Sequence, residues 1–293
     1  MDLTGWKKHI AHVAADEGQW VGVLDENGLP LYELGGVVSA NFPRTRLASS
    51  SVDVTVTVSP GDRVVEDLVG PDLGVTDNEG RLVPASGPTR LLMLVRENGE
   101  RNVATIVHVV ASGENSPSQL VINGVDLLDG LAWWPCPSIP VEWPKAEFTQ
   151  WTTDASGDEY STARTLAQVP IATRADGYTK RGPAVTVIRD LIQESFDAVN
   201  GLYGWLGDPH AVVAYTAGED TSPEVFIRVN DDPILDTVSE SARAAGVTLH
   251  ADLWWPGDAP VRVKTSRDPE AYATKTWEHP IQVFHVNPLG KEL

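Results

Sequence analysis

The chain has 293 residues, and its 22 Lys+Arg against 41 Asp+Glu give a formal charge of −19. That carboxylate excess argues against a protein that coats nucleic acid or an anionic membrane, because such affinity comes from Lys and Arg displacing counterions. The 42% hydrophobic and 22% charged composition is that of an ordered chain, and a single cysteine, Cys136, excludes an internal disulfide framework and a cysteine-based zinc site.

The segment from Met1 to Gly18 lacks the continuous apolar run of a signal peptide and reads as a helix carrying His9 and His12 three residues apart. Two imidazoles at that spacing can share a metal, but with no nearby third ligand they read as surface or packing residues. Next, Trp20 to Leu24 and Leu29 to Tyr32 flank Asp25-Glu26-Asn27-Gly28, whose Asn-Gly step supplies the positive φ of a tight hairpin. Valines alternate with polar residues from Ser51 to Ser59, which predicts a strand with one buried face.

A second hairpin is expected where Arg90 to Arg96 meets Asn102 to Val110, with strands apolar on both faces, His108 a core histidine, and Gln119 to Gly124 returning as a third strand. Antiparallel strands with short glycine turns predict a small barrel or sandwich. The apolar stretch Leu91 to Val95 is far shorter than the roughly 18–20 residues of a membrane helix, so no membrane anchor is expected. Asp126 to Leu131 reads as a helical turn. Prolines 135, 137, 140 and 144 then predict a stiff, extended connector and a domain boundary.

Beyond it, Val185, Ile188, Leu191, Ile192 and Val199 form one helical stripe with Arg189, Asp190, Gln193 and Glu194 opposite, an amphipathic helix over roughly 184–200 closed by Asn200-Gly201. Asp232, Pro233 and Gly246 punctuate a second helix. Strands are expected at 209–215 and 224–229, and again at 247–254, 261–263 and 281–286. The plan is mainly β with an α+β insert: domain boundaries at 1–140, 141–247 and 248–293, the last returning to the first.

The search for chemistry finds no nucleophile elbow, phosphate-binding loop, dinucleotide fingerprint or His-Glu-Xaa-Xaa-His. Asp154, Asp158 and Glu159 beside Trp151 and Tyr160 have the residue types of a sugar-cleaving site, yet the run from Thr152 to Asp158 reads equally as a solvated loop. Asp25 to Gly28 and Asp77 to Gly80 lack the spacing of calcium loops and read as turns. The expectation is no catalytic residue, no metal and no cofactor. Trp133-Trp134-Pro135 and Trp254-Trp255-Pro256 echo each other, and adjacent residues of an extended chain point to opposite faces. One tryptophan of each pair is thus expected to face away from its own core, making Trp133, Trp134, Trp254 and Trp255 candidate partner-interface residues.

The succession Trp20-Val-Gly-Val-Leu-Asp-Glu-Asn-Gly28, Leu31 to Leu34, the strand from Val38 to Val58, the strands around Leu92 and Ile106, Gly124-Val-Asp126-Leu127-Leu128 running into a Pro/Trp segment, Val185 to Ala198 and Trp254-Trp-Pro-Gly-Asp258 resembles the minor tail proteins of long-tailed actinobacterial phages that form the baseplate hub, the Tal-like proteins. The resemblance implies a structural virion protein at the tail tip: a homotrimeric hub of antiparallel β-barrel domains interrupted by a helix-containing domain. It also implies the partners, namely a distal tail protein ring, the C-terminus of the tape-measure protein and other minor tail or receptor-binding proteins, without sequence-specific nucleic-acid binding. An acidic wall suits DNA that must pass on ejection without sticking. Two alternatives are a carbohydrate-binding adhesin module using the four tryptophans and a tail-associated glycan hydrolase using an acidic pair near Asp154 and Glu159.

Overall fold

The computed structural model describes residues 2–70, 76–81, 87–167 and 177–290. The chain divides into two compact units, the first comprising Met1–Asp129, His250–Asp258 and Glu278–Gln282, the second Gly130–Leu249, Ala259–Trp277 and Val283–Leu293.

The first unit opens with helix α1 (Leu3–Glu17), capped at its start by the Asp2 carboxylate accepting from the Gly5 amide and ended by Gly18 in the left-handed region. Strands β1 (Gln19–Leu24) and β2 (Pro30–Glu33) form the expected hairpin, with Gly28 at φ 81°. Then come β3 (Val37–Asn41), β4 (Ser51–Thr57), the short helix α2 (Arg63–Leu68), β5 (Leu91–Arg96), β6 (Arg101–Ser112) and β7 (Gln119–Asp126). They make one antiparallel seven-stranded sheet in the order β2-β1-β5-β6-β7-β4-β3. Among the described residues the sheet is open, ending on β2 and β3, and no sheet closes into a barrel; the architecture is mainly β.

Strands β1 and β5 divide their side chains between two cores. Val21, Val23, Leu92 and Leu94 join Val52, Val54, Val56, Leu120, Ile122 and Val64 of α2 on one face. Trp20, Leu24, Leu91, Met93 and Val95 meet Ile10 and Ala14 of α1 with Leu253 and Trp255 on the other. Each large side chain so enclosed stabilises the unit by about 1.5–3 kcal/mol. Further along the sheet one face is open: a register shift in β6 between Ile106 and His108 leaves His108 exposed, where a core histidine was expected.

The second unit contains helix α3 (Gly130–Trp133), strands β8 (Phe148–Thr153), β9 (Glu159–Ala167) and β10 (Tyr178–Pro183), helix α4 (Ala184–Leu202), β11 (Ala211–Val213), β12 (Glu224–Val229) and helix α5 (Ile234–Ala244). Strands β13 (Val247–Trp254), β14 (Val261–Lys264), β15 (Tyr272–Lys275) and β16 (Ile281–Pro288) complete the chain. Three two-stranded sheets, β8-β9, β10-β12 and β14-β15, accompany a three-stranded sheet ordered β11-β16-β13.

Two expectations fail in this unit. The proline-rich stretch is no extended connector, for residues 136–140 are all buried. The Cys136 amide donates to the Asp232 carbonyl, and Ser138 bonds the Asp231 carboxylate through both its amide (2.7 Å) and its hydroxyl (2.8 Å). Helix α4 is enclosed on its polar stripe too, since Arg189 and Gln193 are buried. Gln193 satisfies itself by accepting from the Val213 amide at 2.9 Å and donating to Asp197 at 2.8 Å. The helix also runs past Asn200-Gly201 to Leu202.

Candidate interaction surface

Among the described residues, the β8-β9 hairpin touches the rest of its unit chiefly at its base, through Phe148. Every residue of β8 is exposed, Phe148 by 48%, as are Trp151 and Leu166. Its turn is built by Asp154, whose Oδ1 accepts from the amides of Ser156 (2.8 Å) and Asp158 (3.0 Å), with Gly157 at φ 89°. Across the strands Trp151 pairs with Arg164, whose guanidinium also lies 4.4 Å from the Tyr160 ring centroid. Aromatic side chains continue from the hairpin's base. Phe148 stacks on Tyr203 at 6.0 Å, Tyr203 on Trp205 at 4.9 Å, and His210 meets Trp205 edge-on at 5.5 Å. Tyr203 is 52% exposed and Trp205 and Leu206 are exposed beside it. Contiguous apolar surface of this kind marks sites of association, and a lone two-stranded hairpin is at best marginally stable in water.

The residues singled out in the sequence fall as follows. Trp133 is 80% exposed, whereas Trp134 turns inward, donating its indole N–H to the Ser195 carbonyl at 3.1 Å and lying edge-on to Phe196. The two part at the end of helix α3, where the Trp134 amide still donates to the Gly130 carbonyl, and not along an extended strand. Trp254 and Trp255 are both buried, because β13 ends at Trp254 and Trp255 already belongs to the turn closed by the Asp258 amide on the Trp255 carbonyl. Of the four tryptophans, Trp133 is left open to solvent. His9 meets Glu33 at 2.6 Å and His12 meets Asp16 at 3.4 Å, so each imidazole has a carboxylate partner. Asp25 and Asp77 serve as turn caps, each carboxylate accepting two amides of its own loop. Asp154, weighed as half of an acidic pair, holds its turn. No helix among the described residues is long and apolar enough to cross a membrane.

Sequence reasoning missed the hairpin strands themselves. Their polar-rich run of threonines lacks period-two alternation, and among the described residues β8 is exposed along its whole length. The signal available was the aromatic content, Phe148, Trp151, Tyr160, Tyr203 and Trp205, without a matching apolar stripe.

No protein-family model matches the chain, and no curated protein sequence matches it. Solved structures similar to it include the 43 kDa tail protein of prophage MuSo2 from Shewanella oneidensis, at TM-score 0.35 and 14% identity, covering 79% of this chain and 52% of that one. A tail protein from Neisseria meningitidis MC58 is similar at TM-score 0.34 and 10% identity, covering 89% and 68%. The chain thus spans about half the length of the first of these proteins. Likeness at this level carries neither fold nor activity from those proteins to this one.

Proposed function

We propose that this chain is a structural, non-catalytic component of a bacteriophage tail tip: a baseplate hub that self-associates as a homotrimer. In this reading it sits beneath a distal tail protein ring, surrounds the C-terminus of the tape-measure protein and lets DNA pass on ejection. The sequence resemblance to Tal-like hub proteins supplies the class. The observation that carries association is the β8-β9 hairpin, in which β8 is exposed along its whole length and continued by the Phe148, Tyr203 and Trp205 rings. Such an arm gains its second layer from another copy, and closed rotational symmetry lets every copy bury the same patch. A charge of −19 suits a lumen through which another polyanion must slide.

Sedimentation over a range of concentration, alone and with the distal tail protein, tests this reading. A trimer, or a trimer captured on the ring, supports it. A monomer at every concentration that ignores the ring overturns it.

The exposed rings of Trp133, Tyr203 and Trp205 favour a second reading, a glycan-binding adhesin module. It requires tryptophan fluorescence to respond saturably to host cell-wall glycan, which the hub reading does not.

A further inference from the structure

The seven-stranded sheet ends on β2 and β3, and its two edges are unlike. Helix α2 shields β2: Arg63 donates to the Leu31 carbonyl at 3.1 Å, and the Tyr32 hydroxyl donates to the Asp67 carboxylate at 2.9 Å. Among the described residues β3 is hydrogen-bonded to β4 alone. Its sequence, Val37-Val38-Ser39-Ala40-Asn41, holds no charge and no proline, and Val38 is 61% exposed with Ser39 and Asn41 open beside it. Such an edge presents amides and carbonyls to solvent without the lysines, prolines or covering elements that keep natural edges from pairing.

Strand β8 is its counterpart in the second unit. Phe148-Thr149-Gln150-Trp151-Thr152-Thr153 is uncharged, exposed along its length and paired among the described residues with β9 alone. The other described edge strands of that unit are each charged or buried. Arg164 lies in β9, Lys180 in β10, Arg228 in β12, Asp252 in β13, Lys264 in β14 and Lys275 in β15, while β11 is buried throughout. Charge decides which of these edges two copies can bring together. Molecules that each carry −19 repel one another, and like charges set side by side at a contact oppose it further. Contact is least opposed where neither edge brings a charge, and β3 and β8 are the two described edges that are both uncharged and exposed.

We infer that β8 of one copy adds to the β3 edge of the next, so that the β8-β9 hairpin extends its neighbour's seven-stranded sheet through main-chain hydrogen bonds. The strands are matched in length, five residues against six. Because the two edges are different strands, the contact is head-to-tail, and three such contacts close a ring with every β3 and every β8 used. The inference rests on the homotrimeric reading above and names the contact that would build it.

The test uses two full-length double variants, each altered at exposed positions of one edge: Val38→Lys with Ser39→Lys on β3, and Gln150→Lys with Trp151→Lys on β8. Both are expected to keep the parent's far-ultraviolet circular dichroism; if one does not, the single change Val38→Lys or Trp151→Lys takes its place. In sedimentation, at a concentration where the parent is trimeric alone or on the distal tail protein, each variant by itself is expected to lose the trimer and run as a monomer. An equal mixture of the two retains one intact pair of edges and is expected to give a dimer that grows no further. A trimeric parent with either folded variant still trimeric overturns the β3-β8 contact and leaves the hub reading standing. Two monomeric variants that stay monomeric when mixed overturn the head-to-tail pairing. A parent that forms no trimer, alone or on the ring, overturns both.

Discussion

Trp255 donates its indole N–H to the carbonyl of Gly28 at 2.9 Å, tying the late turn of the first unit to the first hairpin across 227 residues of sequence. The ring is 2% exposed, lies under the Arg101 guanidinium at 5.0 Å and belongs to the core beneath α1. Gly28 has no room to vary beside it: φ is +81°, and an added Cβ would come 3.0 Å from Leu253. Trp255→Phe, which removes the donor and leaves a buried carbonyl, is expected to cost about 1–3 kcal/mol. Trp255→Ala adds a cavity and is expected to cost about 3–5 kcal/mol. Urea unfolding midpoints of the two variants check the order, and equal midpoints would contradict it.

Two aspartates give opposite dependences on pH. For Asp258, burial alone would raise the carboxyl pKa, but hydrogen bonds from Lys7, the Trp255 amide and Arg101 outweigh it and hold it below the ordinary range. Its stabilisation is therefore fully present above the unfolded value near 3.9 and is lost as pH falls through the lower folded value. Asp258→Asn is expected to be less stable than the parent at neutral pH, with the gap closing in strong acid. Asp197 is the reverse case: burial raises it, against a hydrogen bond from Gln193. Ionising it costs stability above its folded value, and the cost is relieved as pH falls toward the unfolded value. Asp197→Asn is expected to be the more stable protein at neutral pH, with the difference gone in acid. Urea midpoints between about pH 3 and 7 read both signs.

The hairpin makes a prediction about association that separates it from folding. Because Trp151 and Leu166 are exposed, replacing both with serine is expected to change monomer stability by less than about 0.5 kcal/mol each. The same double variant is expected to shift the self-association seen in sedimentation toward smaller species. Unchanged association would remove the hairpin from the interface.

Cys136 is a packing residue. Burial pushes its thiol up to about 11, although hydrogen bonding with Ser195 and Thr237 pulls the other way. At pH 8 the folded protein is expected to react with an aromatic disulfide reagent more slowly than the urea-unfolded chain. The factor is on the order of a hundredfold from the thiolate fraction alone.

What could be read from the sequence was local. Asn27-Gly28 specified a hairpin because the turn chemistry is held in two residues, and the valines from Val52 to Val58 specified a half-buried strand because burial repeats with the pleat. The misreadings are long-range. Arg189 and Gln193 looked like the wet side of an amphipathic helix, yet strands distant in sequence cover that side and supply Val213, Val286 and Asn287 as partners. The prolines after Trp134 looked like a spacer, and only Asp231 and Asp232, about 90 residues away in sequence, turn the segment inward. Neither tryptophan pair follows strand alternation: Trp133 and Trp134 part at the end of helix α3, and β13 stops between Trp254 and Trp255.

The core beneath α1 is assembled from both ends of the chain: Ile10, Trp20 and Met93 come early, and Leu253 and Trp255 come late. On the ribosome, most of the seven-stranded sheet is therefore translated long before the side chains that close one of its faces exist. The first unit is the first to start folding and among the last to finish, so its nascent form carries an open apolar face for most of synthesis. The same order makes residue 249 a poor place to cut, because a 1–249 fragment keeps every strand of the sheet and lacks the wedge that seals it.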